Sequence, residues 1–285
     1  MERLNDYDAY KDLLSRNKSL YRRGFNNNYL SVDKIKQYIR LGRMSFIEDS
    51  SGIQLFLDEK DYYRCILMIS AETVLHMSRQ DKPVFVRNIY DITKKSETLT
   101  SVEESLKKNS FKKIDTSVQI MCKPKDHEDE YRKNNEKCLK FLSRFGIHID
   151  YPDASLAEKV FELRKTTPEL KYYQFPYEEI DDIIFDYTKG YYRCAFNAEN
   201  ELIGAQHFTI ENETIQGDWL AIKDEYRVKY GVGRAMAYHA FVYALDNRYD
   251  VYYGWVVDTN YDSLKYHSEI GYAITNKRAN EWILE

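Results

Sequence analysis

Two stretches of this chain occur twice. Tyr62-Tyr63-Arg64-Cys65 returns as Tyr191-Tyr192-Arg193-Cys194, 129 residues later. Asn135, Leu139, Lys140, Phe141, Ser143 and Gly146 align with Asn260, Leu264, Lys265, Tyr266, Ser268 and Gly271 at an offset of 125. Two matches in one order at nearly one offset point to a duplicated unit of about 130 residues. The 285 residues leave room for two such units, each with its own core. Duplication limits the fold sharply, because the same element order must bury its apolar faces twice. The boundary is expected near Ile149–Asp153, where Pro152 interrupts the chain, giving lobes 1–149 and 150–285.

Each half reads as three strands, a helix, a strand and a second helix. The first-half strands are expected at about Tyr63–Ser70, Thr73–Arg79 and Val84–Tyr90, and those of the second at Tyr191–Asn197, Leu202–Ile210 and Thr214–Ile222. Connections as short as Ala198-Glu199-Asn200 and Glu211-Asn212-Glu213 fit antiparallel hairpins. Helices follow at Thr100–Lys108 and Val232–Asp246; Met236, Ala240, Phe241, Ala244 and Leu245 give the second an apolar stripe at helical spacing. Strands come next at Ile114–Met121 and Tyr252–Val257, and Asn280–Leu284 reads as a final strand. The polar run Lys123–Lys137 reads as a loop entering a solvated helix face. The expected class is α+β (a mixed α/β sheet): two tandem lobes, each a mostly antiparallel twisted sheet flanked by helices.

Composition removes several functions. The formal charge is −4, so nothing favours generic nucleic-acid binding. The four cysteines show no CxxC spacing and read as reduced core thiols of a cytoplasmic protein, with no metal site. Met1-Glu2-Arg3-Leu4-Asn5-Asp6 is polar and carries no secretory h-region. No apolar run approaches the ~20 residues of a membrane helix. The 26 tyrosines are spread along the whole chain, which reads as a compositional bias, with an aromatic binding surface as the alternative.

The chemistry concentrates in the second half. Tyr226-Arg227-Val228-Lys229-Tyr230-Gly231-Val232-Gly233-Arg234 follows a strand and opens a helix. Glycines there let backbone N–H groups approach an anion, and the helix N-terminus adds its positive dipole end. About thirty residues on, Asn260, Ser263 and Tyr266 offer polar side chains and a phenolic hydroxyl. A Gly-x-Gly turn alone joins many strands to helices. Its placement before an apolar helix, with the Asn…Tyr…Gly element beyond, points to a pyrophosphate-containing ligand.

Arg227-x-x-x-Gly231-x-Gly233-Arg234 followed by Asp258-Thr259-Asn260-x-x-Ser263-x-x-Tyr266-x-x-x-x-Gly271-Tyr272 resembles the GCN5-related N-acetyltransferase (GNAT) superfamily of acyl-CoA-dependent enzymes over residues 150–285. The resemblance implies that acetyl-CoA, or another acyl-CoA, is the co-substrate. It places the pyrophosphate on Val228, Lys229, Tyr230, Gly231, Val232, Gly233 and Arg234, and the pantetheine arm along Leu220, Ala221 and Ile222. It puts Asn260, with Ser263 nearby, at the cofactor's amide arm, and makes Tyr266 the acid for the departing thiolate. The family's basic residue usually stands three places before the first glycine, where this chain has Val228; Arg227 is one place further back and Lys229 one place on.

A thioester needs little activation, so the demand falls on the amine. A lysine-type amine has a reference pKa near ~10.4 and an α-amine near ~7.7, so something must accept a proton. Asp218 and Glu225, near the end of the third strand, are the nearest carboxylates, and an ordered water relay is the alternative. His207, His239 and His267 have no metal-ligand spacing and read as surface or core residues. Cys194 is matched by Cys65 and reads as strand packing. The Tyr172-Tyr173-Gln174-Phe175-Pro176-Tyr177 cluster is either a cover for the acceptor or an apolar plug.

The first half lacks glycine between its third strand and helix and carries Phe141 where the second carries Tyr266. It reads as a degenerate repeat that kept the fold and lost the cofactor, an organisation similar to tandem GNAT proteins and, more distantly, to FemAB-like transferases. The expected activity is acyl transfer to a primary amine, of a small molecule or peptide, in a ternary complex by a monomer or homodimer. A FemAB-like aminoacyl transferase and a non-catalytic acyl-CoA sensor are the alternatives.

Overall fold

The computed structural model describes residues 1–22, 24–70, 80–94, 97–165 and 179–285. They form two compact units. Unit 1 is Met1–Val118 with Val257–Thr259 and Asn276–Glu285; unit 2 is Gln119–Val256 with Asn260–Thr275.

Unit 1 begins with β1 (Glu2–Arg3), α1 (Tyr7–Arg16), α2 (Lys18–Arg22), β2 (Phe25–Asn26) and α3 (Val32–Arg40). The strands β3 (Met44–Asp49), β4 (Gly52–Asp58) and β5 (Tyr63–Ile69) form an antiparallel meander. Then come β6 (Val84–Asp91), α4 (Glu97–Lys108) and β7 (Lys112–Cys122). Asp6 and Ser31 cap α1 and α3 by accepting from Ala9 and Lys34 N–H groups. On α3, Ile35, Tyr38 and Ile39 are buried at i, i+3 and i+4 against Leu55, Leu57 and Ile66 of the meander. On the other face α4 buries Leu99, Val102 and Leu106 against Cys65, Leu67 and Val86. Each such side chain contributes about 1.5–3 kcal/mol of hydrophobic transfer.

Unit 2 continues with α5 (Glu128–Ser143), β8 (His148–Asp150), α6 (Ala157–Lys165), α7 (Ile180–Thr188), β9 (Tyr192–Phe196), β10 (Leu202–Glu211) and β11 (Thr214–Ile222). A one-turn α8 (Asp224–Arg227) leads into α9 (Val232–Asp246), β12 (Val251–Val257), α10 (Tyr261–Glu269) and β13 (Ala273–Leu284), whose residues from Asn276 onward belong to unit 1. Within unit 2 the strands β8, β9, β10 and β11 pair antiparallel in that order, and β11 pairs parallel with β12. Helices α6 and α7 bury Val160, Leu163 and Ile183 against Tyr192, Cys194 and Trp219 on one face. On the other face α9 buries Ala237, Ala240, Phe241 and Ala244 among Tyr131, Phe208 and Tyr252. Alanines at these positions let the helix lie close to the sheet.

The duplication is present, but in a different register from the sequence matches. The order β1–helices–β3–β4–β5–β6–α4–β7 recurs as β8–helices–β9–β10–β11–α8–α9–β12–α10–β13, residues 71–79 between β5 and β6 lying outside the described ones. In both, the third meander strand pairs parallel with the next strand: Tyr63–Cys65 with Val84–Val86, and Thr214–Gly217 with Val251–Gly254. The counterpart of β5 is therefore β11, not β9, although β5 and β9 share the Tyr-Arg-Cys match. That match reflects a local demand, since both strands open with an arginine buried to 1% and 0% exposure. Likewise Phe141 lies on α5, which follows the last strand of the first repeat. The counterpart of α10 is α4, so Phe141 is not the equivalent of Tyr266.

Other expectations shift as well. The first-half meander starts at Met44, ahead of the expected Tyr63, and Thr73–Arg79 falls outside the described residues. The run Lys123–Lys137 is mostly the first turns of α5, and the last strand opens at Ala273. The units also divide elsewhere than at 149/150. Residues 119–149 join unit 2 because Tyr131 of α5 stacks on Phe241 of α9 with ring centroids 4.5 Å apart. The chain's last strand joins unit 1 because Lys277–Leu284 pair antiparallel with Val84–Asp91.

The buried Arg64–Glu59 pair of unit 1 is hydrogen-bonded on both sides. Arg64 Nε donates to Glu59 Oε1 at 2.8 Å, its two terminal nitrogens donate to Tyr29 and Tyr62, and Tyr38 donates to Glu59 at 2.8 Å. Removing one partner of such a pair strands the other charge in an apolar interior.

Candidate active site

The site is built where β11 and β12 part. Their parallel pairing ends at Gly217↔Gly254, while β10 remains paired with β11 as far as Ile222. Among the described residues, Asp218–Ile222 therefore have one backbone edge with no strand on it, a template for an extended ligand. The register against β10 steps from His207↔Trp219 to Phe208↔Gly217, so Asp218 is the extra residue of a β-bulge, which bends the strand at this point. Gly217 is required here, because a Cβ would stand 2.8 Å from the Tyr252 ring.

The chain leaves the open edge through α8 and turns into α9 at Gly231, whose φ of +62° is left-handed. The first intrahelical bond is Ala235 N–H to Gly231 C=O, and no side chain caps the helix. The N–H groups of Val232, Gly233 and Arg234 thus have no helical acceptor and point at whatever lies before the helix. The two glycines act differently. A Cβ on Gly231 would meet nothing within 4 Å, so its role is conformational. A Cβ on Gly233 would lie 3.0 Å from Ile222 Cδ1, 3.6 Å from Leu220 Cδ2 and 4.0 Å from the Tyr266 hydroxyl, so its role is space.

Leu220, Ile222, Gly233 and Tyr266 are accordingly brought together. Ala221 and Ile222 bury their side chains and offer only backbone to the open edge. Tyr266 belongs to α10, and its hydroxyl is buried with no hydrogen-bond partner among the described residues. Burial pushes the phenol up from its ordinary value, with Arg234 acting in the opposite sense, so it is protonated at neutral pH. The flanking His267 is pushed down by burial, and its Nδ1 lies 2.7 Å from the Ser263 carbonyl oxygen.

The other expected ligand contacts are placed as follows. Arg227 pairs with Asp224 at 3.5 Å, Val228 is 89% exposed at the tip of the turn, and Lys229 Nζ lies 4.9 Å from the centroid of the Tyr230 ring. Arg234 pairs with Glu269 at 2.9 Å. Asn260 caps α10, its Oδ1 accepting from Ser263 N–H at 3.1 Å, which leaves its amide N–H groups to donate to a ligand. Glu225 is exposed on α8. The cluster Tyr172–Tyr177 lies outside the described residues.

Asp218 sits in a polar chain that sequence reading missed. Its Oδ2 is 3.0 Å from His207 Nδ1, and His207 Nε2 is 3.3 Å from Asp186 Oδ2. Its Oδ1 accepts from Gln216 Nε2 at 2.8 Å, and Gln216 in turn accepts from the Tyr253 hydroxyl at 2.6 Å. One imidazole thus stands between two carboxylates, with Asp218 the more accessible of them. A signal was present: Asp182, Ile183 and Asp186 form the buried side of α7, so two carboxylates occupy a helical stripe that is normally apolar.

In unit 1 the equivalent slot is filled by the chain itself. Pairing of β5 with β6 stops at Cys65↔Val86. Beyond it β2 takes the vacated edge, with Phe25↔Ile69 and Asn26↔Met68. Asn27 then bridges the splayed strands, accepting from Leu67 N–H at 2.6 Å and donating to the Arg87 carbonyl at 2.9 Å. The lack of glycine after this strand is one obstacle to a cofactor there, and β2 is a second.

All four cysteines are free, and burial pushes the Cys65, Cys122 and Cys194 thiols up. Among the described residues no group of His, Cys, Asp and Glu could hold a metal ion, and no helix is long and apolar enough to cross a membrane.

No protein-family model and no curated protein matches the sequence. Solved structures do match. A tandem GNAT protein from the clavulanic acid biosynthesis pathway aligns over 100% of this chain and 97% of its own, with TM-score 0.62 and 12% identity. A GCN5-related glucosamine N-acetyltransferase region of a fungal multi-domain GH3 β-N-acetylglucosaminidase aligns over 97% of this chain and 37% of its own, with TM-score 0.65 and 14% identity. FemX aligns over 98% of this chain and 97% of its own, with TM-score 0.51 and 11% identity. At these identities the likeness is one of fold: the chain has the tandem GCN5-related N-acetyltransferase fold.

Proposed function

We propose that the chain is an N-acyltransferase that moves an acyl group, acetyl foremost, from acyl-CoA to a primary amine within a ternary complex. The observation that carries this reading is the Tyr266 hydroxyl, buried and without a partner among the described residues, beside the first turn of α9 and the open edge of β11. The residues present fit acyl-CoA. The edge at Asp218–Ile222 suits an extended amide arm, and the uncapped turn at Gly231 suits a pyrophosphate.

When bound, acyl-CoA supplies a thioester carbonyl that is already electrophilic. The backbone of Leu220–Ile222 orients the arm, and the N–H groups of Val232, Gly233 and Arg234 hold the phosphates. The amine nitrogen forms the new C–N bond as the C–S bond breaks. Its proton passes to an Asp218 carboxylate oxygen, directly or through one water, while His207 holds that carboxylate in place. Tyr266 Oη donates a hydrogen bond to the departing sulfur; a bond to a charged acceptor is worth about 1.5–3 kcal/mol. Because burial makes the phenol a weaker acid, this donation, rather than a complete proton transfer, is the part Tyr266 plays.

Likeness to FemX favours a second reading, aminoacyl transfer of the FemAB-like kind. Calorimetric titration with acetyl-CoA separates the two. One site per chain, lost in Gly231→Asp, supports the acyl-CoA reading and leads to an amine screen. Absence of binding to the unaltered protein overturns it and turns attention to aminoacyl donors.

A further inference from the structure

Helix α5 has no counterpart in the repeated element order, and its end carries two exposed aromatic rings. Phe141 is 42% and Phe145 46% exposed, while the intervening Leu142 is 1% exposed and anchors the segment in the core. The rings continue inward as a row. Phe141 and Phe145 have centroids 5.2 Å apart, Phe145 and Tyr230 5.1 Å, and Tyr230 and Tyr226 5.5 Å. Tyr226 and Tyr230 pack on the cluster holding Ile222 and Val232, so that end of the row is fixed. Tyr230 immediately precedes Gly231, so the exposed end begins beside the turn that presents the N–H groups of α9. Lys229 adds a cation over the Tyr230 ring.

Nothing in the packing of unit 2 requires Phe141 or Phe145 to be aromatic, since much of each ring faces water. The exposed Phe145 ring, met edge-on by Phe141 and Tyr230 at interplanar angles of 64° and 67° and with the Lys229 cation nearby, matches one ligand chemistry beside a phosphate turn: a purine base linked to a pyrophosphate. Resting on the acyl-CoA reading above, we propose that the exposed ring face of Phe145, bordered by Phe141, Tyr230 and Lys229, is a stacking platform for the adenine end of the CoA. The chain would then grip its donor at both ends, by backbone on the β11 edge and by rings just beyond the end of α5.

The test compares acetyl-CoA with acetyl-phosphopantetheine, which lacks the adenosine 3′,5′-bisphosphate, by calorimetry on the full-length protein. Variants are Phe145→Ala and, retaining apolar bulk without a π face, Phe145→Leu; thermal midpoints check that both fold. The expected result is that each variant binds acetyl-CoA about tenfold more weakly, in line with loss of one base–ring stack, while acetyl-phosphopantetheine binding is unchanged. Equal weakening of both ligands would mean the rings only brace the turn and would overturn the platform, as would no weakening of either. Failure of the unaltered protein to bind acetyl-CoA would overturn the acyl-CoA reading and the platform together.

Discussion

The Tyr266 hydroxyl oxygen lies 4.0 Å from the point where a Cβ on Gly233 would stand. Helix α9 and helix α10 thus meet the open edge of β11 at one small space, kept clear by the absence of a side chain. Gly233→Val is expected to fill it. The contact with Ile222 costs about 1–3 kcal/mol of stability by overpacking, and binding of acetyl-CoA is lost. Urea denaturation and calorimetry check both; tight binding by a folded Gly233→Val protein would remove this space from the site.

Tyr266→Phe removes a buried hydroxyl that satisfies no acceptor, so stability should be unchanged or slightly raised. If the hydroxyl serves the departing thiolate, kcat falls about 10–100-fold while KM for acetyl-CoA stays close to its original value. Steady-state kinetics alongside thermal unfolding tests this. A fall in stability with unchanged kcat would make Tyr266 a packing residue.

Asp218→Asn leaves the Gln216 contact sterically possible but takes a negative charge from beside His207. Turnover should drop about 100-fold or more if Asp218 accepts the amine proton. The loss should be partly recovered at high pH, where the free amine is already deprotonated. A pH–rate profile with an equal deficit at every pH would argue for a structural role.

His239 and His267 are both pushed below the ordinary histidine value, chiefly by burial. The unfolded chain therefore takes up protons as pH falls through ~6.5 while the folded one does not, and stability is lost in that direction. Each histidine adds a slope of up to about 1.4 kcal/mol per pH unit below that point. Urea midpoints between pH 7.5 and 5.5 should fall less steeply in the His239→Gln/His267→Gln double variant than in the parent. Parallel curves would show that neither group is the cause.

Asn27→Ala unties β2 from both splayed strands of unit 1. The orphaned Leu67 N–H should cost about 1–3 kcal/mol, read by urea denaturation. Acetyl-CoA should still bind at one site per chain. A second site appearing in this variant would show that β2 alone had excluded ligand from unit 1.

The second half was the more legible because its signals are local. A glycine at the left-handed position before Val232, hairpin turns at Asn200 and Asn212, and the stripe Met236–Ala240–Phe241–Ala244 each act within a few residues, and α9 begins and ends where expected. The His207–Asp186 approach could not be read in this way, because 21 positions and a helix-to-strand crossing separate residues that meet only in the packed unit. Strand β2 escaped notice because two residues carry no periodicity. The misread register of the repeat has a physical source in Arg64 and Arg193. Two strands of different rank in the fold each begin by burying a guanidinium, and the same tyrosines around it made them look equivalent.

Strand β2 turns unit 1 into a lock supplied with its own key. Covalent attachment gives Phe25–Asn27 a fixed effective concentration at the β5 edge, so that slot stays occupied whatever ligand surrounds the protein. Among the described residues the β11 edge has no such tenant, so on the acyl-CoA reading its occupancy would follow free ligand by mass action. The segment that closes one slot is also a pattern for a peptide to close the other: a short extended strand ending in an asparagine able to reach across two parting strands.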